Sequence, residues 1–168
     1  FWILDPKRPA ITLPTTFTLA PYMNRKFLAN GTSLDMATSS VGDVVYMRCA
    51  EMYLIEAEAL ARQGKNAEAQ DVLFLLASNR NPQYVKSTKT GTDLINEILL
   101  QRRIELWGEG FRFLDLKRTN APLDRSGSNH NLSLAVVMNV PAGDNLWQFL
   151  IPKAELDANP AIKDQQNP

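Results

Sequence analysis

Six charged residues recur at helical spacing between positions 102 and 118: Arg102, Glu105, Glu109, Arg112, Asp115 and Arg118. On a continuous helix, steps of three and four residues put the first four on one face. Asp115 and Arg118 continue the three-residue rhythm beyond Gly108 and Gly110. Two chemistries use such residues. Glu105 and Glu109 form a carboxylate pair of the kind glycoside hydrolases employ. Alternating arginines and carboxylates also make bidentate ties that lock one helix to its neighbours. The second reading is the stronger. A glycosidase needs carboxylates on opposite sides of the scissile bond, whereas two on one helical face point the same way. Each glutamate also has an arginine three residues away, which favours the ionised form, the reverse of what a general acid requires. The six residues are therefore read as a structural charge network, and no residue is assigned as catalytic.

The remaining candidates are aromatic. Trp107 sits at helical spacing inside the network and is expected in the core, as is Trp147 in an apolar, strand-like run. Trp2 and Tyr22 lie in an irregular lead segment, where an aromatic ring can stack on a sugar or bury into a partner. They are the candidate ligand-binding residues. His130 stands in a loop-like stretch with no other ligands around it, so no metal or cofactor is expected. Cys49 falls within an apolar helical pattern and is expected to be a small core residue.

These side chains need elements to hold them. Residues 1–42 carry Pro6, Pro9, Pro14 and Pro21 among Thr, Asn, Gly and Ser, and read as a long irregular lead. From Asp43, a plausible N-cap, "DVVYMRCAEMYLIEAEALARQG" reads as a helix ending at Gly64. Its apolar residues fall on more than one face (Val45, Cys49, Met52 and Leu60; Met47 and Leu54), as in a helix packed between two neighbours. "NAEAQDVLFLLASNRNP" gives a second helix, with Asn66 as candidate cap and Pro82 beyond its end. The pair, spanning 43–82, follows tetratricopeptide spacing at Ala57, Leu60, Ala69, Leu73 and Leu76. One such repeat cannot bury its own apolar faces and needs stacked neighbours. The region 92–119 holds the charged helix, capped by Thr92 or Asp93, and a further short helix or turn after the glycines. Residues 120–168 read as loops and short strands, with "LAVVMNV" and "LWQFLIP" forming a small ribbon, and a closing tail. The fold class is mainly α, with long irregular segments and a few short strands.

Composition narrows function further. Lys plus Arg and Asp plus Glu balance at 18 each, which argues against nucleic acid or an anionic membrane surface as the main partner. The single cysteine precludes an internal disulfide.

Four segments in order, "MRCAEMYLIEAEALARQG", "NAEAQDVLFLLASNR", "LLQRRIELWGEGFRFLDLKR" and "FLIPKAEL…NPAIKDQQNP", resemble the SusD/RagB family of outer-membrane nutrient-binding lipoproteins. Gln101 departs from the glutamate usual at that position. The resemblance implies the C-terminal portion of a longer, mainly helical protein that binds carbohydrate, or in some branches peptide. It implies no enzymatic activity and a surface-exposed lipoprotein of the outer membrane, with signal and lipidated cysteine upstream of Phe1. Its implied partners are a SusC-like TonB-dependent transporter and the N-terminal part of the same protein. The alternatives that the residues leave open are a glycoside hydrolase using Glu105 and Glu109, or a pure protein-interaction scaffold.

Overall fold

The computed structural model describes residues 46–167 apart from 129, 132 and 136. Trp2, Tyr22, the proposed cap Asp43 and the whole lead segment 1–42 lie outside the described residues. The chain divides into two units, Phe1–Arg48 and Cys49–Pro168, and the elements below all belong to the second. It is built from helices α1 (Cys49–Arg62), α2 (Asn66–Arg80), α3 (Gly91–Glu105), α4 (Phe111–Arg118) and α5 (Lys153–Ala158). A two-stranded antiparallel ribbon joins β1 (Leu123–Asp124) to β2 (Asn139–Val140), with Leu123 opposite Val140.

Helices α1 and α2 are linked by residues 63–65 alone, which turns the chain back on itself and makes them antiparallel neighbours. Gly64 supplies the turn with a left-handed backbone, φ 79°. Their contact is lined by alanines: Ala57, Ala61, Ala69 and Ala77 are all buried. Small side chains let two helix backbones approach closely, leaving the larger residues to fill the space beside the seam. Leu54, Leu73, Leu94 and Ile98 do so and are fully buried. This core joins α1, α2 and α3, and each of its leucines would cost about 2–5 kcal/mol if cut to alanine.

The first helix begins later than its pattern suggests. Tyr46–Arg48 are non-helical, and Tyr46 and Met47 are strongly exposed. A helix draws most of its stability from a packed face, and that face begins at Ala50. Buried Ala50, Leu54, Ala57 and Ala61 form a stripe at steps of three and four. Cys49 lies one step, about 100° of rotation, off that stripe, so it is exposed rather than in the core. Met52 is likewise exposed.

The caps also differ from expectation. Asn66 is the first residue of α2, not its cap. Its Oδ1 accepts from the Gly91 amide at 3.0 Å, and its Nδ2 donates to the Gly64 carbonyl at 3.2 Å. It thus ties the α1–α2 corner to the start of α3. That helix starts at Gly91 with Thr90 as N-cap, so Thr92 and Asp93 fall within its first turn. The loop between α2 and α3 is sewn down by Glu97. Its carboxylate accepts from Tyr84 Oη at 2.6 Å and Ser87 Oγ at 2.7 Å, and pairs with Lys89 at 3.3 Å. Burial opposes ionisation of Glu97, yet the bonds from Ser87, Tyr84 and Lys89 prevail and hold its carboxyl below the ordinary value.

A second, smaller core forms beyond α4 from Leu116, Val140 and Trp147, with Phe113, Ala121 and Leu123 against it. Trp147 is buried as expected, but in a single 3-10 turn (Asn145–Trp147) rather than a strand. Its indole N–H donates to the Pro141 carbonyl at 2.7 Å, and its ring meets Phe113 at a centroid distance of 5.6 Å. The ribbon therefore pairs 139–140 with 123–124, and not with the run containing Trp147. Among the described residues no helix is long and apolar enough to cross a membrane.

Candidate functional site

Helices α3 and α4 meet at a bend made by Gly108 and Gly110, with φ of 76° and 85°. Positive φ is nearly free for glycine and strained for other residues, which is how the chain can leave one helix and enter the next within five residues. The bend resets the helical phase, so the six charged residues do not share one face.

The structure brings three of them together and adds three from α1, Glu51, Glu58 and Arg62. The Arg102 Nε atom donates to both Asp115 oxygens, at 3.1 and 2.9 Å, and its Nη2 donates to Glu51 at 3.2 Å. Arg118 grips Glu58 with two parallel bonds of 2.7 Å and donates from Nε to Asp115 at 2.9 Å. Arg62 adds a third bond to Glu58 at 2.8 Å. Arg102, Asp115 and Glu58 are all buried. Burial works against the Glu58 charge, but the bonds and charges of Arg118 and Arg62 outweigh it and hold its carboxyl below the ordinary value. The same pairing with Glu58 raises Arg118 above the ordinary arginine value.

Glu105 is placed elsewhere. Its two oxygens accept from Arg80 of α2, at 3.0 and 2.9 Å, and the carboxylate is buried. Glu109 lies in the bend beyond the helix, where its amide donates to the Leu106 carbonyl. Arg112 is exposed and has no carboxylate within ion-pair distance among the described residues. The expectation that it braces a helix is corrected: the buried brace is Arg102.

Sequence spacing missed Glu51, Glu58 and Arg80 because their partners are 51, 60 and 25 positions away. A signal for Glu58 was present. It interrupts a stripe of Leu54, Ala57 and Ala61 that is otherwise apolar and buried, and a charge in such a stripe calls for a buried counterion.

Two cavities flank this brace and share Arg102, Phe111 and Asp115 as a common wall. The first, about 520 Å³, lies between α1 and α4 and has Ile55 and Leu114 among its lining residues. All its charged groups belong to the ion pairs just described. The second, about 570 Å³, is lined by Arg103, Trp107, Arg112, Phe113, Asp124, Arg125 and His130 besides the common wall. Trp107 is 50% exposed, against the expectation of a core residue. It follows Leu106, the C-cap of α3, so the helical spacing that implied burial no longer governs it. The second cavity thus brings a half-exposed indole together with guanidinium donors.

The chain as a whole is similar to known proteins. A model of the SusD family matches residues 6–168. A SusD-like protein of Formosa agariphila is 33% identical over an alignment of 100 residues, and the match covers 54% of this chain and 20% of that protein. A crystal structure of a Bacteroides vulgatus protein, assigned provisionally to sugar binding, superposes with a TM-score of 0.62 at 32% identity. That match covers 73% of this chain and 28% of the other. The chain therefore spans between a fifth and a third of the length of these relatives.

Proposed function

The chain belongs to the SusD family, and on that premise we propose that it is part of a non-catalytic surface protein that binds carbohydrate. The family match over residues 6–168 is the observation that carries this reading, and the sugar-binding assignment of the Bacteroides vulgatus relative supports it. In the proposed assembly the protein is a lipoprotein on the outer face of the outer membrane. It passes an oligosaccharide, or in a variant role a peptide, to a SusC-like TonB-dependent transporter.

The binding element proposed from the geometry is the cavity beside the α3–α4 bend. A flat indole offers a sugar ring about 1 kcal/mol of stacking beyond area burial, and the surrounding guanidinium groups donate to hydroxyls. Trp2 and Tyr22 remain proposed contacts from the lead segment. A binder needs no acid and base, and the Glu105 carboxylate is turned to Arg80 rather than toward Glu109.

The test is calorimetric titration of the full-length protein against a panel of oligosaccharides, with product analysis afterwards. Heat of binding with the sugar recovered intact is expected, and Trp107→Ala should weaken the affinity about tenfold. Sugar recovered in fragments, with Glu105→Gln abolishing the cleavage, would replace the binder with a hydrolase.

A further inference from the structure

The arginines around the second cavity are treated differently from the others. Arg62, Arg80, Arg102 and Arg118 each hold a carboxylate at 2.7–2.9 Å. Arg103, Arg112 and Arg125 all line the cavity, and among the described residues none has a carboxylate within ion-pair distance. The two acidic residues that line the cavity are engaged with other groups. Asp115 is already shared by Arg102 and Arg118, and Asp124 is turned to Ser126, whose amide it accepts at 2.8 Å. His130 completes the rim.

Arg103 and Arg112 line the same cavity. Partial burial and then the charge of Arg103 press Arg112 below the ordinary arginine value, against a smaller opposing pull from Asp115. A separate observation concerns the wall common to both cavities. Arg102 is only 6% exposed, yet its Nη1 has no hydrogen-bond partner among the described residues. A buried guanidinium donor left without an acceptor is costly, and the Phe111 ring 5.2 Å from its Cζ offsets this only in part. In a chain of balanced charge, three arginines without carboxylate partners line a single concave surface. Arg125 donates to the Val137 carbonyl at 3.3 Å, which leaves Arg103 and Arg112 as the pair an incoming anion would satisfy. Arginine is also the side chain whose planar fork matches a carboxylate or a sulfate.

We propose that this cavity takes an anionic saccharide, its ring stacked on Trp107 and its carboxylate or sulfate held between Arg103 and Arg112. The inference rests on the carbohydrate-binding reading and names the class of carbohydrate within it.

Three probes of related backbone test it in the full-length protein: neutral galacto-oligosaccharides, oligogalacturonates and sulfated galactan oligosaccharides. At low salt, one charged probe should bind about tenfold or more tightly than the neutral one, and the margin should shrink as salt is raised. The charged arm that wins distinguishes carboxylate from sulfate. In the double variant Arg103→Gln, Arg112→Gln the ratio of charged to neutral affinity should fall towards one. Neutral sugar bound as tightly as both charged probes would overturn the inference and leave the carbohydrate reading standing. A preference that survives in the double variant would also overturn it. No binding of any of the three would count against both.

Discussion

Arg102 and Arg103 are consecutive on α3 and have opposite surroundings. The first is buried, pairs with two carboxylates and joins α3 to α4 and α1. The second is exposed, has no carboxylate partner among the described residues, and faces a cavity. The same contrast recurs on α4, where Asp115 and Arg118 close the brace and Arg112 does not. One face of the α3–α4 corner is internally neutralised and holds the fold, while the adjacent face keeps its charge. A charge-rich segment is thus not one functional unit. What separates its halves is whether each charge has met its counterion inside the molecule.

The comparison is broken most severely at Arg102. Truncation by Arg102→Ala removes the partner of a buried Asp115 and of Glu51, and should cost about 3–5 kcal/mol. A shift in the denaturant midpoint of the full-length protein reads it out. A loss below about 1 kcal/mol would mean that Arg118 alone neutralises Asp115, and the brace would have no keystone.

Glu58 tests the outer half of the brace more gently. Its partners Arg118 and Arg62 have side chains 42% and 48% exposed, so solvent screens the pairs. Glu58→Gln should cost about 1–2 kcal/mol at neutral pH. The pH dependence has a definite sign. The native carboxyls of Glu58 and Glu97 lie below the ordinary value of 4.5. Their contribution is complete above that value and is lost as pH falls through the lower native one. Stability measured from neutral pH into acid should therefore decline below about 4.5, and less steeply in Glu58→Gln. An unchanged acid slope in that variant would show that Glu58 gains nothing from its arginines.

The smallest effect belongs to the other face. The double change Arg103→Gln, Arg112→Gln should leave the unfolding midpoint within about 0.5 kcal/mol of wild type, or raise it slightly by removing a repulsion. A loss as large as that of Arg102→Ala would place these two arginines in the brace and erase the contrast.

Much of this was legible in the sequence, and the exceptions have a common cause. The α1–α2 pair, its turn at Gly64 and the buried Ala57, Ala69 and Leu73 follow from local periodicity and short connections, which sequence encodes directly. After the glycines the same periodicity leaves a short helix or a turn open, and the structure has the helix, α4. Pairings over long separations were not. Glu58 with Arg118 and Arg80 with Glu105 depend on where whole helices come to rest. Spacing arguments instead supplied nearer and incorrect partners along one helix. Trp107 and Arg112 were misjudged because the glycine bend interrupts the phase on which their placement relied. Apolar content alone pairs the two most apolar runs as a ribbon, whereas Trp147 packs against Phe113 from a 3-10 turn. The candidate site itself was legible only as residue types, because its concavity arises from two helices and a loop meeting at one corner.

The glycine bend carries one more consequence, for the kinds of change the chain can tolerate. Residues 106–110 join two helices whose facing side chains must meet in a fixed rotational setting. A single residue added to or removed from an α-helix turns everything beyond it by about 100°. An insertion or deletion that lengthened or shortened either helix at this link would swing Asp115 and Arg118 away from Arg102 and Glu58 together, although every one of those residues was still present. The joint is thus a length standard: substitutions around it are local events, whereas a change in residue count would undo the corner as a whole.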